Sequence, residues 1–165
     1  MRVLEDISLS GLHVLDMGTG SGAAAIACAR RGAIVTAVDI DSRSVEHVKN
    51  LASPEKVSIQ MLQSDMFSNV IGKFDLILFN PPYLPDDLTV SDPTVDGGPG
   101  GSSIAERFLR LMPKHLKKGG YSLLLLSSIN TPERLIEKFP SLSFKVVVEE
   151  KLFFETLTVF RVDPR

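Results

Sequence analysis

The segment from Lys73 to Tyr83, Lys-Phe-Asp-Leu-Ile-Leu-Phe-Asn-Pro-Pro-Tyr, sets the tightest limit on what this chain can fold into. Phe74 to Phe79 is a short, almost wholly apolar run, the pattern of a strand buried on both faces of a sheet. It must stop at Asn80, because Pro81 and Pro82 lack an N–H for a sheet ladder and fix their own φ. The product is a stiff elbow at the carboxyl end of a strand, the edge where open α/β sheets bind ligands. The elbow offers the Asn80 amide, the Pro81 carbonyl and the Tyr83 ring. Two acceptors suit a planar –NH2 group and the ring suits its flat face. Asn-Pro by itself would mark only a proline-terminated strand.

Around this segment the chain alternates. His13 to Met17 reads as a strand, followed by the turn Gly18-Thr19-Gly20-Ser21-Gly22 and a helix from Ala23 to Arg31, which Gly32 ends. Ile34 to Val38 predicts a second strand closing on Asp39. Asp41 or Ser42 can cap a helix to about Leu51, and Pro54 breaks the chain. Val57 to Leu62 predicts the third strand, followed by Ser64-Asp65-Met66-Phe67. A Pro-, Asp- and Gly-rich loop then runs to about Ser102, and a connection of that length in a small domain is functional or mobile. A helix from Ile104 to about Leu116 follows, disturbed at Pro113. Gly119-Gly120 reads as a stop, and Tyr121 to Leu126 as the fifth strand. Thr131-Pro132-Glu133 opens a last helix with Thr131 as cap. Ser143 to Glu149 and Glu155 to Val162 are joined too tightly for a parallel crossover, which predicts an antiparallel hairpin. The alternation predicts an α/β domain with a mostly parallel sheet.

Composition removes several classes. At 165 residues the chain fits one domain, 1–165, with a short lead-in over 1–11, and buries roughly 70% of its unfolded surface without a staple. One cysteine, Cys28, in an alanine-rich stretch reads as a buried thiol. His13, His47 and His115 have no ligand-like spacing, so no metal is expected. No signal peptide or bilayer-length apolar run is present, which makes the cytoplasm the expected location. A net charge of −2 argues against a protein that binds mainly by neutralising phosphates. The basic cluster Lys114, His115, Lys117 and Lys118 is placed at a helix end, where cations complement the dipole.

The acids at successive strand ends carry the chemistry. The spacing Asp16-x-Gly18-x-Gly20-x-Gly22 differs from the Gly-x-Gly-x-x-Gly of dinucleotide sites, although it lets a ligand approach the backbone. Asp39 is placed to accept from both hydroxyls of a ribose. Asp65 can accept from an adenine amino group while the backbone at Met66 reads the ring edge. Singly, each acid reads as a cap or a surface residue. Three strand ends in order point to a nucleoside cofactor.

With these motifs in that order, the chain resembles class I S-adenosylmethionine-dependent methyltransferases from about Gly11 to Val162. The resemblance implies a Rossmann-like seven-stranded sheet in order 3-2-1-4-5-7-6, with strand seven antiparallel and helices on both faces. Asn80-Pro81-Pro82-Tyr83, with Val95-Asp96-Gly97-Gly98 and Phe154-Glu155-Thr156 downstream, is similar to HemK-type protein glutamine methyltransferases, and more so to their short archaeal and eukaryotic branch. That implies methylation of the glutamine of the Gly-Gly-Gln tripeptide in a peptide chain release factor. Asn80, Pro81 and Tyr83 would be catalytic, and Asn80 to Tyr83 would bind the substrate. Asp16, Gly18, Thr19, Gly20, Asp39, Ile40, Asp65, Met66 and Asn80 would bind S-adenosyl-L-methionine, leaving S-adenosyl-L-homocysteine as product. A small zinc-binding activator subunit is a further implied partner. Members usually carry an additional N-terminal segment over the cofactor, and about ten residues precede the first strand here. The same tetrapeptide serves adenine-N6 and guanine-N2 methyltransferases of RNA or DNA, the competing substrate class. A non-catalytic partner-stabilising subunit and a nicotinamide-dependent oxidoreductase are the remaining readings.

Overall fold

The computed structural model describes residues 2–55, 57–82 and 102–165. Its elements are β1 (His13–Met17), α1 (Ala23–Arg30), β2 (Ile34–Asp39), α2 (Ser42–Glu55), β3 (Ile59–Gln63), β4 (Phe74–Phe79), α3 (Ser103–Leu111), β5 (Leu116–Ser127), α4 (Pro132–Glu137), β6 (Leu142–Lys151) and β7 (Thr156–Pro164). The strands form a seven-stranded sheet in the order β3-β2-β1-β4-β5-β7-β6, as the sequence predicts. β7 runs antiparallel to both neighbours.

By internal packing the chain divides into two units, Met1–Phe79 with Lys114–Gly120, and Asn80–Pro113 with Tyr121–Arg165. In the first, β1 lies between β2 and β4, all parallel, with Leu15 level with Thr36 and Ile77. Val14, Leu15, Val38, Leu76 and Ile77 are fully buried there. Central strands covered on both faces call for nearly continuous apolar runs, which is how β4 reads, whereas β1 carries Asp16 among its buried residues. α2 packs through Val45, Val48 and Ala52, spaced three and four apart on one face. The guanidinium of Arg31, just past α1, donates to the carbonyls of Leu4, Glu5 and Ile7 and so pins the segment ahead of β1.

The second unit is built on the β6–β7 hairpin and the far half of β5. Ser122 to Ser127 pair with Val162 to Leu157, and Phe144 faces Val162 across the hairpin. A bulge between Val146 and Val148 bends β6, the outermost strand. Ser127 hydrogen-bonds Glu155, and the Ser128 hydroxyl accepts from the Thr156 N–H at 3.0 Å, which closes the turn of the hairpin onto the end of β5.

Several expectations are corrected. α2 continues past Leu51 with Pro54 inside its last turn, where the missing N–H costs a single intrahelical bond. α3 ends at Leu111, and Met112–His115 tighten into a 3-10 turn. β5 begins at Leu116 and runs straight through Gly119 and Gly120, so Lys117 and Lys118 lie on a strand and not at a helix end. Lys117 meets Asp75 of β4 at 2.7 Å. Burial by itself would raise the Asp75 carboxyl, but that ammonium and the His13 N–H hold it below its usual value. Thr131 makes no side-chain cap and takes a left-handed φ of 47°, leaving Pro132 to open α4.

Candidate functional site

The site grows from the turn between β1 and α1. Gly18, Gly20 and Gly22 take φ of 62°, 51° and 76°, a region open to glycine at little cost. This lets five residues reverse the chain between a buried strand and a helix that buries Ala25 and Cys28. Asp16 is only 5% exposed, and its Oδ2 accepts from the Thr19 hydroxyl at 2.7 Å and the Ala25 N–H at 3.1 Å. The carboxylate is therefore the internal brace of the turn. Burial pushes Asp16 up from 3.8 to about 6, against the two donated hydrogen bonds and with a small further push from Asp39.

That elevation has a sign. The folded chain holds the Asp16 proton more tightly than the unfolded chain, so this contribution to stability is full below pH 3.8 and is lost as pH rises through 6. A displacement of this size corresponds to roughly 3 kcal/mol. In Asp16→Asn the amide oxygen accepts the same two bonds without ionising. The stability of the variant relative to the parent should climb as pH goes from 4 to 7, read from urea midpoints. A pH-independent difference would contradict the assignment.

The turn is tied to the ends of the next two strands. The Thr19 N–H donates to the Val38 carbonyl at 2.9 Å, and the Gly20 N–H to Asp39 Oδ2 at 2.9 Å. Asp39 Oδ1 accepts from the Asp41 N–H at 2.9 Å, and its carbonyl accepts from the Ser64 N–H at 2.9 Å. Ile40 is 61% exposed, and its carbonyl is held by the Gln63 amide at 3.1 Å. Gly20, Asp39 and the residue before Asp65 are thereby linked in one chain of hydrogen bonds. A shallow cleft beside them is lined by Gly20, Ser21, Asp41, Arg43, Ser44 and His47, and Arg43 neutralises Asp41 across it at 2.9 Å.

The loop after β3 is organised by residues with no marked signal in the sequence. The Ser64 hydroxyl donates to the Met66 carbonyl at 2.8 Å and accepts from the Asn69 N–H at 3.0 Å. The Asn69 amide donates to the Gln63 carbonyl at 2.8 Å, and the Ser68 hydroxyl to the Asp65 carbonyl. Met66, buried, is held at a left-handed φ of 50°. Asp65 is exposed. Ser and Asn just past a strand are turn formers, and that was the available hint. Asn80, exposed, follows β4 directly, with Pro81 buried and Pro82 half-buried in the second unit. Tyr83 and the stretch from Val95 to Gly101 lie outside the described residues.

A seven-stranded sheet in this order, with a glycine turn after β1 braced to an acid closing β2, defines a Rossmann-like cofactor-binding architecture. Residues 2–154 match the family described as "Methyltransferase small domain", and the chain belongs to that family of enzymes. It is 40% identical over 164 residues to a "putative protein N5-glutamine methyltransferase" of Methanocaldococcus jannaschii, covering 93% of this chain and 82% of the relative. Among solved structures, the Mtq2-Trm112 complex of E. cuniculi, responsible for the methylation of the eRF1 translation termination factor, superposes with a TM-score of 0.80. It shares 23% identity, over 99% of this chain and 92% of that one, so the likeness is one of fold. The 16S rRNA N2 G1207 methyltransferase RsmC of T. Thermophilus, solved with AdoMet and guanosine, superposes at 0.69 with 26% identity. There the match covers 94% of this chain and only 38% of the other. Among the described residues no helix is long and apolar enough to cross a membrane.

Proposed function

We propose that this methyltransferase acts as a single cytoplasmic domain that moves a methyl group from S-adenosyl-L-methionine to the side-chain amide of the glutamine in the Gly-Gly-Gln tripeptide of a release factor. The observation that carries this reading is the 40% identity to the protein named "putative protein N5-glutamine methyltransferase", over 82% of its length. Asn80-Pro81-Pro82-Tyr83 closing the buried strand β4 supports it.

The residues present fit the cofactor. Each Asp39 oxygen takes one N–H, from Gly20 or Asp41, and keeps acceptor capacity for a ribose hydroxyl. Exposed Ile40 offers an apolar face to a flat base, and Asp65 offers an acceptor to its amino group. When bound, S-adenosyl-L-methionine supplies a methyl activated by a sulfonium. The protein has to hold a weak nucleophile in line with it. An amide nitrogen is weak because its lone pair is delocalised. The Asn80 oxygen and the Pro81 carbonyl accept its two N–H groups, turn the lone pair outward and stabilise positive charge as the nitrogen pyramidalises. The resemblance assigns the ring of Tyr83, outside the described residues, to the flat face of the amide. On accepting the methyl that the cofactor would supply, the nitrogen would lose one proton to solvent, so this chain would need no base of shifted pKa.

The test is transfer of labelled methyl to the cognate release factor, beside the same factor with the tripeptide glutamine replaced. Both are run with the enzyme alone and with the proposed small zinc-binding activator subunit; the Mtq2-Trm112 pair supports a companion subunit as such. Label that vanishes with the replacement supports the reading. Label on both factors, or on neither with either enzyme preparation, overturns it. The second reading, a nucleic-acid amino methyltransferase, is favoured by the likeness to RsmC and predicts label on RNA instead.

A further inference from the structure

His115 is a half-buried titratable group with no part in the methyl transfer. Its ring stacks on Phe67 with centroids 4.4 Å apart and planes 19° from parallel, and it also hydrogen-bonds the backbone at Gly72. Nδ1 is buried with no hydrogen-bond partner. Burial first, then the charges of Lys114 and Lys73, lowers the pKa against the pull of the Gly72 contact, so the ring is neutral at neutral pH. An orphaned buried nitrogen is a cost that a purely apolar side chain would not carry. In exchange, one ring grips two points of the same loop, the Phe67 side chain and the Gly72 turn at φ 101°.

That loop presents Asp65 and Met66. Its internal hydrogen bonds, through Ser64, Ser68 and Asn69, fix its shape. Met66 sits at φ 50°, a conformation that persists in a non-glycine residue only where its surroundings over-determine it. One hold on Phe67, the next residue, is the His115 ring, from a segment 48 positions away in sequence. We propose that His115 is a positioning residue, whose stack on Phe67 holds Asp65 and the Met66 backbone where they distinguish a 6-aminopurine from other purines. This rests on the cofactor reading above and names a residue that sets its base specificity without touching the base.

The experiment is calorimetric binding of two product analogues, S-adenosyl-L-homocysteine and S-inosyl-L-homocysteine. The latter replaces the 6-amino group with an oxo group and carries a proton at N1. The wild-type protein is expected to prefer the adenosyl ligand by at least tenfold. His115→Ala should lower that ratio at least fivefold, with the loss confined to the adenosyl ligand, and His115→Phe, which keeps a flat ring, should restore it. His115→Leu fills the space without stacking. It should behave like the alanine variant and serves if that variant does not fold. A ratio unchanged in the alanine and leucine variants, beside a discriminating wild type, overturns the role of His115. A wild type that binds both ligands alike, or neither, overturns the adenine reading at Asp65 and the inference with it.

Discussion

Replacing Asn80 with alanine should leave S-adenosyl-L-homocysteine binding within a few-fold of wild type while turnover falls by two to three orders of magnitude. The size follows from the role proposed for the side chain. It accepts one of the two N–H groups of the reacting amide, and that bond strengthens as positive charge grows on nitrogen. Removing one such preorganised group costs roughly a hundredfold to a thousandfold in kcat. The Pro81 carbonyl would survive the change, so residual activity above the solution rate is expected. Single-turnover methyl transfer, with cofactor binding measured in parallel, gives both numbers. Normal turnover in Asn80→Ala would remove this residue from the mechanism, and loss of binding would make the cofactor contact that the resemblance also implies its main role.

The second large effect is structural. Gly22 caps α1 at φ 76°, and a Cβ there would lie 2.6 Å and 2.8 Å from the two methyls of Val48, which is fully buried. Gly22→Ala combines a left-handed penalty of roughly 1–2 kcal/mol with overpacking of roughly 1–3 kcal/mol. A loss of about 2–5 kcal/mol is expected, and a drop in Tm of roughly 4–20 °C for a chain of this size. Gly20→Ala is the control. Its φ is 51°, but the nearest atom to the added carbon is the Gly18 carbonyl oxygen at 4.0 Å, so only the conformational penalty applies. Denaturant midpoints of the two variants should differ clearly. Equal destabilisation would mean that α2 yields and Val48 moves aside.

The contrast between β4 and β5 shows what was legible. Phe74 to Phe79 matches its sequence bounds to the residue, because an apolar run closed by two prolines has one reading. β5 extends five residues ahead of its sequence start at Tyr121, through Gly119-Gly120, the usual stop signal. Gly120 is there for another reason: a Cβ would lie 2.7 Å from the Phe74 carbonyl oxygen and 3.1 Å from that of Asp75. Close approach between two strands is a tertiary fact with no local pattern. Likewise, the motif order placed acids at the ends of β1 and β2 but could not say which way each faces. Asp16 turns inward to Thr19 and Ala25, while Asp39 holds Gly20 and Asp41. His115 was grouped with neighbouring lysines by proximity, yet its contact is Phe67, brought near only by folding.

The bulge in β6 bears on how molecules of this protein behave in a crowd. An outermost strand of ten residues with Val146 and Val147 exposed is the kind of template along which chains polymerise edge to edge. The extra residue interrupts the even spacing of N–H and C=O groups that an incoming strand would need. Lys145, Glu149, Glu150 and Lys151, all exposed, would have to shed water on any approach. The irregularity works as a guard on solubility: a deletion of Val147 that evens out the strand would trade a local defect for a sticky edge.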